Sequence, residues 1–163
     1  MRWLRHLCDL SSAKRRFPAA ALDAIQQAIA ASEHRHHGEI VFAVEGNLGF
    51  GDILRGVTPR ARAEEVFAHL RVWNTERNTG VLVYVLLADH AIEIIADRGV
   101  AREVDASEWM PICAQMQRHF LDGGYEGGAI AGVEAVGELL ARHFPADGTA
   151  RNENELLNRP TLL

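Results

Sequence analysis

The sequence predicts an α/β fold, a three-layer α/β/α sandwich whose central mixed sheet contains a β-hairpin at about residues 81–97. Three observations lead to it. Val81-Leu-Val-Tyr-Val-Leu-Leu-Ala88 is apolar without alternation, so both faces of that strand must be covered. Asp89-His90 can turn the chain, and Ala91-Ile-Glu-Ile-Ile-Ala-Asp97 returns with high β propensity. Segments of helical periodicity lie before and after the pair and supply the two outer layers. With 163 residues, 48% apolar and 24% charged, the chain suits a single domain and excludes disorder, collagen-like repeats and coiled coil.

The elements follow in order. Pro18 sets φ for a helix start, and Leu22, Ile25 and Ile29 recur at spacings of three and four up to Ser32. Glu39-Ile-Val-Phe-Ala-Val-Glu45 reads as a strand that stops at Gly46-Asn47. The glycine-punctuated stretch Gly49 to Gly56 reads as a loop. Thr58-Pro59 then offers an N-cap and a first-turn proline for a helix to about Trp73 that buries Val66, Phe67, Leu70 and Trp73. After the hairpin, Ser107 can cap a helix with the stripe Trp109, Cys113, Met116 and Phe120, stopped by Asp122-Gly123-Gly124. A last helix runs from about Glu126 to Phe144, with Ile130, Val133, Val136 and Leu140 on one side and Gly128, Gly132 and Gly137 allowing close backbone approach. The expected organisation is a basic leader over 1–16, one domain over 17–145 and a polar tail over 146–163 pinned by Leu156, Leu157 or Leu162.

Charge and motifs narrow the function classes. The leader carries a balance of +4, so the remaining residues hold −9 of the total −5. An acidic body without interleaved Arg and aromatic residues makes nucleic acid an unsuitable partner. In the leader, Trp3, Leu4, Leu7 and Leu10 recur at helical spacing beside Arg2 and Arg5, a pattern that permits a short interfacial helix or packing on the chain's own domain. No apolar run reaches the roughly 20 residues of a spanning helix, and no signal-peptide pattern is present. A cytoplasmic location is expected, with peripheral contact to the inner membrane through residues 1–16 as its variant. Cys8 and Cys113 match no paired-thiol or zinc spacing, and Cys113 reads as core. Esterase, Walker and zincin motifs are absent, and Gly123 to Gly128 lacks the lysine and preceding strand of a phosphate loop, so no nucleotide or haem is expected.

Two groups of side chains suit a metal ion. His34, His36 and His37 are dense in sequence, but the run precedes Gly38, where a helix is ending and cationic side chains favour the free carbonyls. The stronger group is oxygen-bearing. Asn78 precedes the first hairpin strand and Asp97 ends the second, so antiparallel pairing sets both at one edge of the sheet. Asp105 enters the next helix nearby, and Glu103 can add a fourth side chain. Several oxygens at one locus suit a hard divalent cation, Ca²⁺ above all. Each also has an ordinary structural reading: turn residue for Asn78, turn bonding for Asp97, helix cap for Asp105. Arg98 reads as an ion-pair partner of Asp97.

The stretches His37-Gly-Glu-Ile-Val-Phe-Ala-Val-Glu45, Arg71 through Asp89 and Ile92-Glu-Ile-Ile-Ala-Asp-Arg-Gly99 together resemble the TPM domain over residues 18–145, in particular its short bacterial branch, which also shares the trailing Asn154-Glu-Leu and Arg159-Pro160. The resemblance implies an α/β/α sandwich with a cleft that binds a divalent cation, often calcium. Family members more typically have Asp-Asn-Gly where this chain has Asn78-Thr79-Gly80, which removes one formal charge from the implied site. The resemblance leaves two functional expectations. One is a binding or scaffolding domain organised by a cation, its partner a protein or a membrane surface. The other is a metal-assisted, acid-phosphatase-like phosphomonoester hydrolase with the cation near Asp97 and Asp105.

Overall fold

Two strands that are buried along their entire length, β1 (Glu39–Glu45) and β2 (Gly80–Leu86), form the centre of the molecule. A computed structural model describes residues 12–148 and 154–163 of the chain. β1 and β2 pair in parallel, Glu39 opposite Gly80 through Glu45 opposite Leu86. β3 (Ala91–Ala96) returns antiparallel to β2, with Val83 opposite Ile94. A two-residue strand, β4 (Thr161–Leu162), adds parallel to β1 at Ala43 and Val44. The order is β3-β2-β1-β4, a mixed sheet.

Alternation across the strands divides the apolar residues between two cores. Ile40, Phe42, Val44, Val81, Val83, Val85, Ile92 and Ile94 face one side. There they pack under α1 (Ser12–Arg16), α2 (Ala19–Glu33), α6 (Met110–Leu121) and α7 (Tyr125–His143). Val41, Ala43, Leu82, Tyr84, Leu86 and Ile95 face the other side. That side is covered by α4 (Pro59–His69), α3 (Phe50–Leu54) and Leu156 from the C-terminal segment. Each fully buried Ile, Leu or Val contributes about 1.5–3 kcal/mol, which is why the non-alternating β2 demands a layer on either side. The three-layer expectation holds.

Local departures have identifiable causes. The glycine-rich stretch after β1 contains α3, a single turn with Asp52 in its first turn. The fourth helix ends at His69, short of Trp73, because Arg71 adopts φ 54° and turns Val72 into the core while Trp73 remains half exposed. Asp97 caps α5 (Arg98–Glu103), a short helix that the sequence pattern leaves unmarked. The next helical segment begins as a 3₁₀ turn, Ala106–Trp109, capped by Asp105 and continuing into α6. The tail is pinned by Leu156 and by Leu162 in β4, whereas Leu157 is exposed. Residues 1–11, which hold most of the expected leader helix, lie outside the described residues. No helix among the described residues is long and apolar enough to cross a membrane.

Candidate functional site

The hairpin brings its two ends together at one edge of the sheet. Asp97 N–H donates to the Gly80 carbonyl at 2.8 Å, and Gly99 N–H donates to the Asn78 carbonyl at 3.0 Å. The loop that presents Asn78 is tied down independently: Asn78 N–H donates to Thr75 O, Thr79 N–H to Thr75 Oγ1, and Thr79 Oγ1–H to His37 O. Asn78 adopts φ 55°, a left-handed conformation that Asn tolerates better than most residues. Gly99 packs directly on this loop. A Cβ there would sit 2.5 Å from Asn78 O and 2.7 Å from Arg77 O, so those carbonyls and the start of α5 share a space that only glycine leaves open.

Asp97 is the chemically unusual member. Its Oδ1 accepts from Arg98 N–H at 2.7 Å as the cap of α5, while Oδ2 is buried and has no hydrogen-bond partner among the described residues. The residue is 8% exposed, so a carboxylate oxygen is held out of water without compensation. Its neighbour Arg98 sends its side chain elsewhere: Nε–H donates to Asn78 Oδ1 at 2.9 Å. The expected ion pair of Arg98 with Asp97 is therefore replaced by a backbone bond to Asp97 and a side-chain bond to Asn78.

The other two predicted ligands stand apart from this pair. Glu103 is exposed at the far end of α5, roughly 9 Å of helix from the cap at about 1.5 Å per residue. Asp105 is exposed and engaged: its Oδ1 accepts from Ser107 N–H at 2.8 Å and Ser107 Oγ–H at 2.6 Å, which holds its carboxyl below the ordinary value. Glu108 reaches back to Asp105 N–H to complete a capping box. No three His, Cys, Asp or Glu side chains gather into a metal-holding group among the described residues. A cation at this edge would thus have one carboxylate, Asp97, with neutral oxygens from Asn78 and its loop. The orphaned Asp97 Oδ2 fits such an ion. The donor set suits weak rather than tight binding, because Ca²⁺ affinity rises with the number of charged ligands.

Beside this edge runs a groove of about 510 Å³ between the outer strand β3 and the 3₁₀ turn and α6. Ala96, Ala101, Val104 and Ala106 form the end nearest Asp97, Trp109 and Cys113 the floor, and Met110 an exposed wall. Burial pushes the Cys113 thiol up to about 11, so it stays protonated and is no nucleophile at neutral pH. Across the strand, Arg60 Nη1–H donates to Ile94 O at 2.9 Å and lies 3.6 Å from Glu93, giving the groove one charged rim.

The remaining ionisable clusters are structural. The three histidines diverge: His34 is exposed, His37 pairs with Asp147 at 3.3 Å, and His36 is wholly buried, its Nε2 3.0 Å from Ser32 Oγ and its Nδ1 against Gly38. Burial lowers His36 to about 4, which keeps it neutral. Two acids bracket β1, a signal that passes for ordinary strand ends in the sequence. Glu45 accepts two bonds from Arg62, each 2.9 Å, and one from Tyr84 O–H at 2.5 Å, so both its oxygens are engaged; burial and Glu45 together raise Tyr84 above its ordinary value. Glu39 and its neighbour Glu33 are both pushed up to about 7, chiefly by burial. Glu33 accepts from Ile40 N–H and Asn158 Nδ2–H, and Glu39 Oε2 lies 3.4 Å from Leu156 N.

The fold is that of a small α/β/α domain also found in solved bacterial proteins. The NMR structure of the BA42 protein from the psychrophilic bacterium Bizionia argentinensis is similar, with a TM-score of 0.76 and 29% identity over 89% of this chain and 94% of that one. The N-terminal domain of a P. gingivalis protein, also solved by NMR, shares the fold at a TM-score of 0.63 and 18% identity, covering 83% of this chain and 90% of that one. Among curated proteins none matches. The TPM domain matches residues 14–139, and the chain belongs to that family.

Proposed function

We propose that this chain is a binding module in which a divalent cation, Ca²⁺ above all, seats at Asp97 and Asn78 and orders the mouth of the adjoining groove for a protein segment. One observation carries the reading: a carboxylate oxygen of Asp97 is buried without a hydrogen-bond partner among the described residues, at the sheet edge where Gly99 N–H ties the next turn to the Asn78 carbonyl. Such an atom costs about 1–3 kcal/mol unless something arrives to satisfy it, and a hard cation is the natural complement. The groove favours a protein segment over a bilayer. It is concave, whereas a membrane surface is engaged by protruding apolar groups, and Met110 on its wall can adapt to differing side chains.

The test is calorimetric titration of chelator-treated protein with Ca²⁺, Mg²⁺ and Mn²⁺, repeated on Asp97→Ala and Asp105→Ala. The expected result is heat from the wild type, its loss in Asp97→Ala and its retention in Asp105→Ala, since Asp105 is committed to its cap. Heat that survives in Asp97→Ala removes the site from this edge. Phosphomonoester turnover by the wild type that vanishes in Asp97→Ala would support the hydrolase reading instead.

A further inference from the structure

We propose that the guanidinium of Arg98 is the cleft's built-in cation, and that a divalent ion seats at Asp97 and Asn78 only by displacing Arg98 from the Asn78 amide. The inference rests on the cation reading above and deepens it by naming what controls that site. Asn78 Oδ1 is a neutral side-chain oxygen on the loop bonded to the turn after Asp97, and it accepts from Arg98 Nε–H at 2.9 Å. Asn78 Oδ1 keeps a second lone pair, but a dication bound to it would lie beside the guanidinium charge, so Coulomb repulsion favours one of the two cations at a time. Arg98 is an exposed residue, so its side chain can swing into solvent without opening the core.

The rest of the cleft does not depend on that side chain. Arg98 N–H to Asp97 Oδ1 and Gly99 N–H to Asn78 O are backbone donations, and Thr75 and Thr79 anchor the loop from behind. When the guanidinium leaves, the Asp97 carboxylate and the loop carbonyls therefore keep their places, and the Asn78 amide is released to turn toward an ion. The arrangement also gives Asn78 a physical role. A neutral amide binds Arg98 less strongly than a carboxylate would, since it offers one acceptor oxygen and no opposite charge, so the tethered cation remains displaceable. A fixed positive charge beside the seat opposes an incoming dication by Coulomb repulsion, and salt weakens that opposition at an exposed site.

The experiment compares Ca²⁺ titrations of the chelator-treated full chain as wild type, Arg98→Gln and Arg98→Lys, with thermal unfolding of each metal-free protein as a check on folding. Arg98→Gln is expected to bind Ca²⁺ about tenfold more tightly, equivalent to ~1.4 kcal/mol. Arg98→Lys, which keeps the charge, is expected to stay within about threefold of wild type. In the wild type, the NMR cross-peak of the Arg98 Nε–H should shift during the titration as its bond to Asn78 breaks. If the wild type binds and Arg98→Gln binds no more tightly, or the Nε–H resonance does not move, Arg98 is only a surface bond and this inference falls while the cation reading stands. If neither protein takes up Ca²⁺, both fall together.

Discussion

At Gly99 one added carbon is enough to disturb the cleft. Gly99→Ala places a methyl within 2.7 Å of two backbone carbonyls, those of Arg77 and Asn78, and neither belongs to a flexible side chain that can move aside. The expected cost is about 1–3 kcal/mol, read as a lower urea midpoint with an unchanged slope. Because the loop carbonyls would have to shift, Ca²⁺ uptake should weaken in the same variant. The comparison with Asp105 is instructive. That residue looks equally suited to a metal in the sequence, but its oxygens are committed to Ser107 and to starting a helix. Residue type was legible for both acids; which one had already committed its oxygens was not, because that depends on where the helix begins.

The C-terminal segment behaves as a strap across one end of the sheet. Asn158 bonds Glu33, Arg159 bonds Asp23 at 2.8 Å, and Leu156 lies over Glu39. Glu39 is held at about 7 against an ordinary 4.5, so the folded chain keeps its proton more tightly than the unfolded one. The stability Glu39 contributes is therefore fully present below about pH 4.5 and is lost as the pH rises through about 7. Urea unfolding of wild type and Glu39→Gln across pH 5–8 should give a stability difference that moves against the wild type as pH rises. A difference that stays flat would mean that Glu39 is not protonated in the folded protein. Buried His36 titrates in the opposite sense, which is why the comparison is with the Gln variant rather than with pH alone.

At the same scale, the hairpin was readable because eight apolar residues in succession admit few alternatives, and its antiparallel register fixes Asn78 and Asp97 as neighbours. β4 was not readable. Two residues carry no periodicity, and their pairing partners Ala43 and Val44 lie far from them in sequence. The turn of Arg98 toward Asn78 escaped for a related reason: sequence adjacency to Asp97 suggests an ion pair, whereas helical geometry at α5 hands Asp97 the backbone amide instead.

For the whole molecule, the sheet is unequally guarded at its two edges. β3 has Arg60 placed on one of its outward carbonyls, while β1 relies on β4 and the final amide bond from Leu163 N–H to Val44 O at 2.9 Å. Removing residues 158–163 should lower stability by about 2–4 kcal/mol, from lost hydrogen bonds near 1 kcal/mol each and the uncovering of Leu162's contacts. The truncated protein should also self-associate in sedimentation measurements, because an unpaired strand edge recruits other edges. A truncation as stable and as monomeric as the full chain would show that β4 contributes nothing to the sheet.

The pairing of residue 43 with residue 161 also bears on synthesis. A ribosome releases β1 early and β4 late, at roughly 5–20 residues per second, so for about 1–4 seconds after α7 is made the nascent domain has the helices of both cores but one flank of its central ribbon bare. A chaperone or a neighbouring nascent chain would find its opening in that interval, and synonymous slowing of translation between the codons for α7 and those for β4 would widen it.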